Sequence, residues 1–134
     1  MDFRAILNGV GVQASAQRLA VAECALRTGQ HPTADEILTE VQTLLPMVSR
    51  ATIYNTLNLF VEKGLLCRQL IKEGRTIYDA RMEAHHHFLD EVTGEIYDLP
   101  WGSIDIKPGK GLEECDITSW NVVVKGRAPR GGLK

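Results

Sequence analysis

His85-His86-His87 and, eleven residues past the last of them, Asp98 are the side chains best suited to chemistry in this chain. Between them Glu91-Val92-Thr93-Gly94 has the composition of a turn. Side chains on a strand alternate faces, so His85 and His87 would leave one side and His86 the other. With Val92-Thr93 at the tip of a hairpin, His87 and Asp98 fall directly opposite each other, with Cβ atoms about 5 Å apart on one face. Two imidazoles and a carboxylate converging in this way suit Zn, Mn, Fe(II) or Ni. For the triplet alone, a solvated surface run that binds nothing stands on equal footing.

The elements that must carry this cluster are helical in the first half and strand-like in the second. Ser15 can cap a helix in which Leu19, Ala22, Leu26 and Val21, Ala25 recur at helical spacing, ended by Thr28-Gly29. Thr33-Ala34-Asp35-Glu36 reads as a capping box opening a helix through Ile37, Leu38, Val41 and Leu44, stopped by Pro46. A third helix starts at Ser49 and runs to Lys63, with Gly64 placed to end it. Two β-like runs follow, Leu65 to Ile71 and Arg75 to Tyr78, joined by Lys72-Glu73-Gly74. Three helices and a hairpin predict a winged helix-turn-helix.

In the helix from Ser49 to Lys63, Ile53, Leu57, Phe60 and Val61 form one apolar stripe. Ala51, Asn55, Asn58 and Glu62 take the other face, flanked by Arg50, Thr52 and Tyr54. Such a helix start suits a major groove: Asn pairs with adenine, Ala or Thr methyls touch thymine, and Ser49 with the helix N-terminus meets a phosphate. An ordinary amphipathic helix has the same wheel; the wing and the preceding helices favour the DNA reader.

Residues 1–80 carry eight basic and eight acidic side chains and residues 81–134 seven and nine, so any basic surface must be local. Cys24, Cys67 and Cys115 form no CxxC pair, which excludes a thiolate zinc knuckle and points to a reducing compartment. Met1-Asp2-Phe3-Arg4 is too polar to open a signal peptide and no apolar run reaches ~18 residues. The expectation is a cytoplasmic protein that does not enter a membrane. Residues 81–84 read as a linker, 85–126 as a small second domain and 127–134 as a mobile basic tail. Within the second domain, Val122-Val123-Val124 is expected to form a buried strand. Three short strands are too little core for a free-standing domain, so a homodimer is expected.

Ser49-Arg50-Ala51-Thr52-Ile53-Tyr54-Asn55-Thr56-Leu57, Gly64-Leu65 and the histidine run together resemble the ferric uptake regulator family. Gln17-Arg18 and His31-Pro32-Thr33-Ala34-Asp35-Glu36 extend the likeness, which covers about Gly9 to Asp98 and more weakly Val122 to Val124. The resemblance implies an α+β protein: a winged helix followed by a small α/β dimerisation domain, in a homodimer that represses transcription at palindromic double-stranded DNA. Matched position by position, the family's regulatory metal ligands fall on His31, Asp79, His85, His87 and Asp98. The residues expected to face DNA are Arg18, Ser49, Arg50, Thr52, Tyr54 and Asn55. One divalent ion per subunit is implied, Fe(II) or Mn(II) in cells, with Zn an alternative.

The chain also departs from the family. Asp90 and Thr93 stand where most members place a CxxC for structural zinc, so that zinc is expected to be absent. Ala84 before the run, and His86 where an acidic residue is usual, dismantle the family's other non-cysteine site. Asn55 replaces a common arginine and should alter base preference. These features resemble a branch of iron-response and peroxide regulators. Peroxide sensing would act on His31 or His85; a haem-responsive regulator binding haem at His85–His87 is the alternative, although no cysteine precedes a proline. A metal carrier outside DNA binding is the third reading, and an enzyme is not expected, since both carboxylates serve better as ligands.

Overall fold

Asp2, Ser15, Thr33 and Ser49 each turn a side-chain oxygen onto the backbone N–H three residues ahead, and each opens a helix. The computed structural model describes residues 1–72, 74–81 and 83–133, with backbone only at 71 and 72. Glu73 in the expected wing turn, Met82 in the expected linker and Lys134 at the end of the tail lie outside the described residues. The chain divides into two units, residues 1–82 and 83–134.

The first unit runs α1 (Phe3–Gly9), α2 (Ala16–Ala25), α3 (Ala34–Leu44), α4 (Arg50–Glu62), β1 (Cys67–Lys72) and β2 (Arg75–Asp79). Helix α1 was not expected; it is seven residues long and buries only Leu7, too little to show a period. Helix α2 stops at Ala25, before Thr28-Gly29, where the Leu26 N–H donates to Ala22. The capping box of α3 is present in both directions between Thr33 and Glu36. Val21, Ile37, Val41, Ile53, Leu57 and Phe60 are fully enclosed in one core. Strands β1 and β2 pair antiparallel. The segment before α3 joins them: the Tyr78 N–H donates to the Pro32 carbonyl at 2.8 Å, and Thr33 bridges Ile77 antiparallel.

The second unit holds β3 (His85–Asp90), β4 (Ile96–Pro100) and β5 (Val123–Gly126) in the order β4-β3-β5. Strand β4 runs antiparallel to β3 and β5 parallel to it. The expected buried strand is instead an edge, with Val123 half-buried and Val124 exposed, because only β3 covers its flank. Leu89 is the one hydrophobic side chain buried among the described residues of this unit; the other buried ones are His85, His86, His87 and Asp90. No helix of the described residues is long and apolar enough to cross a membrane.

The turn between β3 and β4 closes on Asp90. Its carboxylate accepts from the N–H groups of Val92 (2.8 Å) and Thr93 (3.1 Å) and, through the other oxygen, of Ala128 (3.2 Å). Residues just beyond 126 are thereby tied to the sheet. The Thr93 N–H above all, with those of Val92 and Ala128 and the charge of Arg127, holds the Asp90 carboxyl below its usual range. A lowered carboxylate contributes stability above the ordinary value near ~4 that is lost as pH falls through the folded one. The advantage of the native chain over Asp90→Asn should therefore shrink on acidification below about pH 4. Tryptophan fluorescence reads it out, since Trp101 and Trp120 both lie in this unit.

Candidate metal centre and nucleic-acid face

Antiparallel pairing places His87 opposite Asp98 and His85 opposite Pro100. The Nε2 atoms of His85 and His87 lie 3.1 Å apart, and Asp98 Oδ1 is 3.5 Å from the first and 3.6 Å from the second. Both imidazoles are buried and the Asp98 side chain is only 9% exposed, which removes the reading of the triplet as a solvated run. A divalent ion about 2.1 Å from each donor holds neighbouring donors ~3.0 Å apart in octahedral and ~3.4 Å apart in tetrahedral geometry. The observed triangle fits an ion of this kind. His85 Nδ1 lies 2.7 Å from the Glu83 carbonyl, which can only accept, so Nδ1 carries the proton and Nε2 offers its lone pair. Nothing in the sequence pattern announced Glu83, because its contribution is a backbone oxygen.

His86 goes the other way, as strand alternation requires. Its ring stacks on Trp101 at 4.4 Å, with Trp120 at 5.5 Å, and its Nδ1 accepts from the Val122 N–H at 2.9 Å. It is wholly buried and packs rather than ligates.

In the first unit, the bridge between Thr33 and Ile77 extended by two residues sets His31 opposite Asp79. His31 Nε2 and Asp79 Oδ2 lie 3.7 Å apart and both side chains are buried. That distance is long for a hydrogen bond and short enough for both to ligate one ion. Asp79 Oδ1 accepts from the Arg81 N–H at 2.9 Å, which fixes the carboxylate. A lone His before a proline and a lone Asp ending a strand gave no such signal; the paired segment supplies it.

On α4, Tyr54 and Asn55 stand on the exposed face with Ala51 and Asn58, while Ile53, Leu57 and Phe60 are buried. Ser49 Oγ caps the Thr52 N–H and lies 3.0 Å from the Thr52 hydroxyl. Arg50 is not free on that face: it forms an ion pair with Asp35 in the first turn of α3. Arg18 donates to the Gln13 carbonyl at 3.1 Å. From the wing, Arg68 donates to Asn58 at 3.1 Å.

A capped four-helix unit with a wing, followed by a sheet unit bearing buried imidazoles and a carboxylate, defines an α+β winged-helix protein with a candidate metal centre. A sequence model of the ferric uptake regulator family matches residues 9–123, and the chain belongs to that family. It is 31% identical over 124 residues to the peroxide-responsive repressor PerR of Staphylococcus aureus, covering 91% of this chain and 84% of the relative. The peroxide stress regulator of Campylobacter jejuni is similar at a TM-score of 0.64 and 26% identity, over 96% of this chain and 98% of that one. The ferric uptake regulator of Pseudomonas aeruginosa with manganese gives a TM-score of 0.68 at 20% identity, over 95% of this chain and 98% of that one. At that identity the likeness speaks for the fold alone.

Proposed function

We propose that this chain is a metal-responsive transcriptional repressor that binds palindromic DNA as a homodimer and responds to peroxide. The observation that carries the metal is the buried triangle of His85, His87 and Asp98, with edges of 3.1–3.6 Å. His31 and Asp79 are proposed as the remaining ligands, contributed by the first unit. A bound divalent ion, Fe(II) or Mn(II) in cells with Zn an alternative, supplies a centre of positive charge that donors from both units share. His85 and His87 present lone pairs to it, Asp98 and Asp79 neutralise it, and His31 completes the set. Ligands from both units fix how two recognition helices are spaced, with half-sites about one helical turn, ~34 Å, apart or a multiple of it. At ~100-fold saturation such binding contributes about 2.7 kcal/mol to the ligated form.

The peroxide reading draws on the relatives named for that response and on the chemistry of the thiols. Burial, ahead of the charge of Glu40, pushes the Cys24 thiol up to about 11, and burial with Asp79 raises that of Cys67. Thiols held protonated are poor peroxide targets. His31 and His85 are the proposed sensors: one imidazole carbon takes up one peroxide oxygen and the other oxygen leaves as water. Haem at His85–His87 is not supported, because His85 and His87 face each other and Asp98 while His86 is covered by tryptophan.

A chelator titration on a promoter fragment tests the reading. Binding should be lost with chelator and restored by Mn(II) or Fe(II), and Asn55→Ala should weaken the best site by ~1–3 kcal/mol. Operator binding that persists in excess chelator would refute metal control.

A further inference from the structure

The face of the first unit that carries Tyr54 and Asn58 opens into a groove of about 530 Å³ between α4, the start of α3 and the wing. Arg68 and Arg75 line it together with Asn58, Tyr54 and Tyr78. Asp35 lines it too, and is the one acidic side chain among its described residues. Arg68 is set in place by its hydrogen bond to Asn58. Arg50, the first residue of the recognition helix, is instead drawn onto Asp35. Both side chains of that pair remain well exposed, at 61% and 65%, so nothing in the core requires it. Asp35 is not the cap of helix α3 either: the capping box is formed by Thr33 and Glu36.

We infer that Asp35 is a positioning residue that holds Arg50 away from the phosphate backbone and so lowers affinity for every duplex, whatever its sequence. This inference rests on the DNA-binding reading. A phosphate arriving at the groove meets Arg68 and Arg75, but it must compete with a carboxylate for Arg50. Arg50 can reach a phosphate only by giving up Asp35, and in the native chain the pair is kept on any duplex. Because attraction to the phosphate backbone is electrostatic and independent of sequence, a single carboxylate placed here acts on all duplexes alike.

The test uses the full chain loaded with Mn(II) and two labelled probes. One is a random-sequence duplex about three helical turns long; the other is the tightest duplex of the same length selected from a random pool. Asp35→Asn should tighten the random duplex roughly fivefold and steepen its salt slope by about 0.9, the value of one added phosphate contact. The selected duplex should tighten by a similar factor, so the specificity ratio stays unchanged. Asp35→Glu, which keeps the charge, should behave as the native chain, and Arg50→Ala should abolish the effect of Asp35→Asn. An unchanged salt slope in Asp35→Asn, or the same tightening in the Arg50→Ala background, would overturn the inference while DNA binding itself stands. No binding of either duplex by the native chain would overturn both.

Discussion

Replacing His87 by alanine is expected to abolish metal-dependent operator binding while leaving the first unit folded. His87 is wholly buried, opposite Asp98, and its Nε2 is 3.1 Å from that of His85. Removing it leaves two donors of the triangle and a polar hollow. Loss of a partner outside the ligand shell already costs metal sites 10–100-fold in affinity, and loss of a ligand should exceed about 100-fold. Titration of Mn(II) into the variant, followed by calorimetry, gives the number. His86→Ala is the control. Its ring faces Trp101 and Trp120 and accepts from Val122, so its loss should lower the melting temperature of the second unit and leave Mn(II) affinity within about tenfold. Equal loss of Mn(II) affinity in both variants would show that the two faces of β3 are not chemically distinct.

The contrast between those two histidines is legible in the sequence, because side chains alternate strictly along a strand and the turn sits symmetrically between His87 and Asp98. The same holds for α3 and α4, whose caps and apolar stripes agree. Other parts could not be read. Helix α1 has one buried residue and no period. Strand β5 looks like a core strand by composition, yet it pairs on one side only and lies at an edge. His31 and Asp79 meet through an isolated bridge far apart in sequence, which no local pattern encodes. The burial of His86 against two tryptophans is likewise a tertiary fact. Asp90 closes its turn by accepting from backbone N–H groups, a use that the residue type alone does not announce.

Phe60→Ala is expected to have the largest effect on the first unit. Phe60 is fully enclosed in the core shared by α2, α3 and α4, with Leu57 and Ile53 along the same stripe of the recognition helix. Truncating a buried phenylalanine costs about 3–5 kcal/mol, from lost transfer energy and the cavity left behind. A small domain holds only about 5–15 kcal/mol in total, so much of the first unit's stability would go. Circular dichroism at helical wavelengths should show a lower urea midpoint with little change in slope. Tryptophan fluorescence should stay close to native, because Trp101 and Trp120 both lie in the second unit. DNA binding should weaken for every sequence alike, since the whole reader is lost rather than one contact. Tyr54→Ala, on the exposed face of the same helix, is expected to change stability by no more than about 0.5 kcal/mol. Whatever it does to DNA affinity is then a contact effect. If Phe60→Ala leaves the urea midpoint where it was, α4 is not anchored by this core, and its outward face has no fixed orientation from which to read bases.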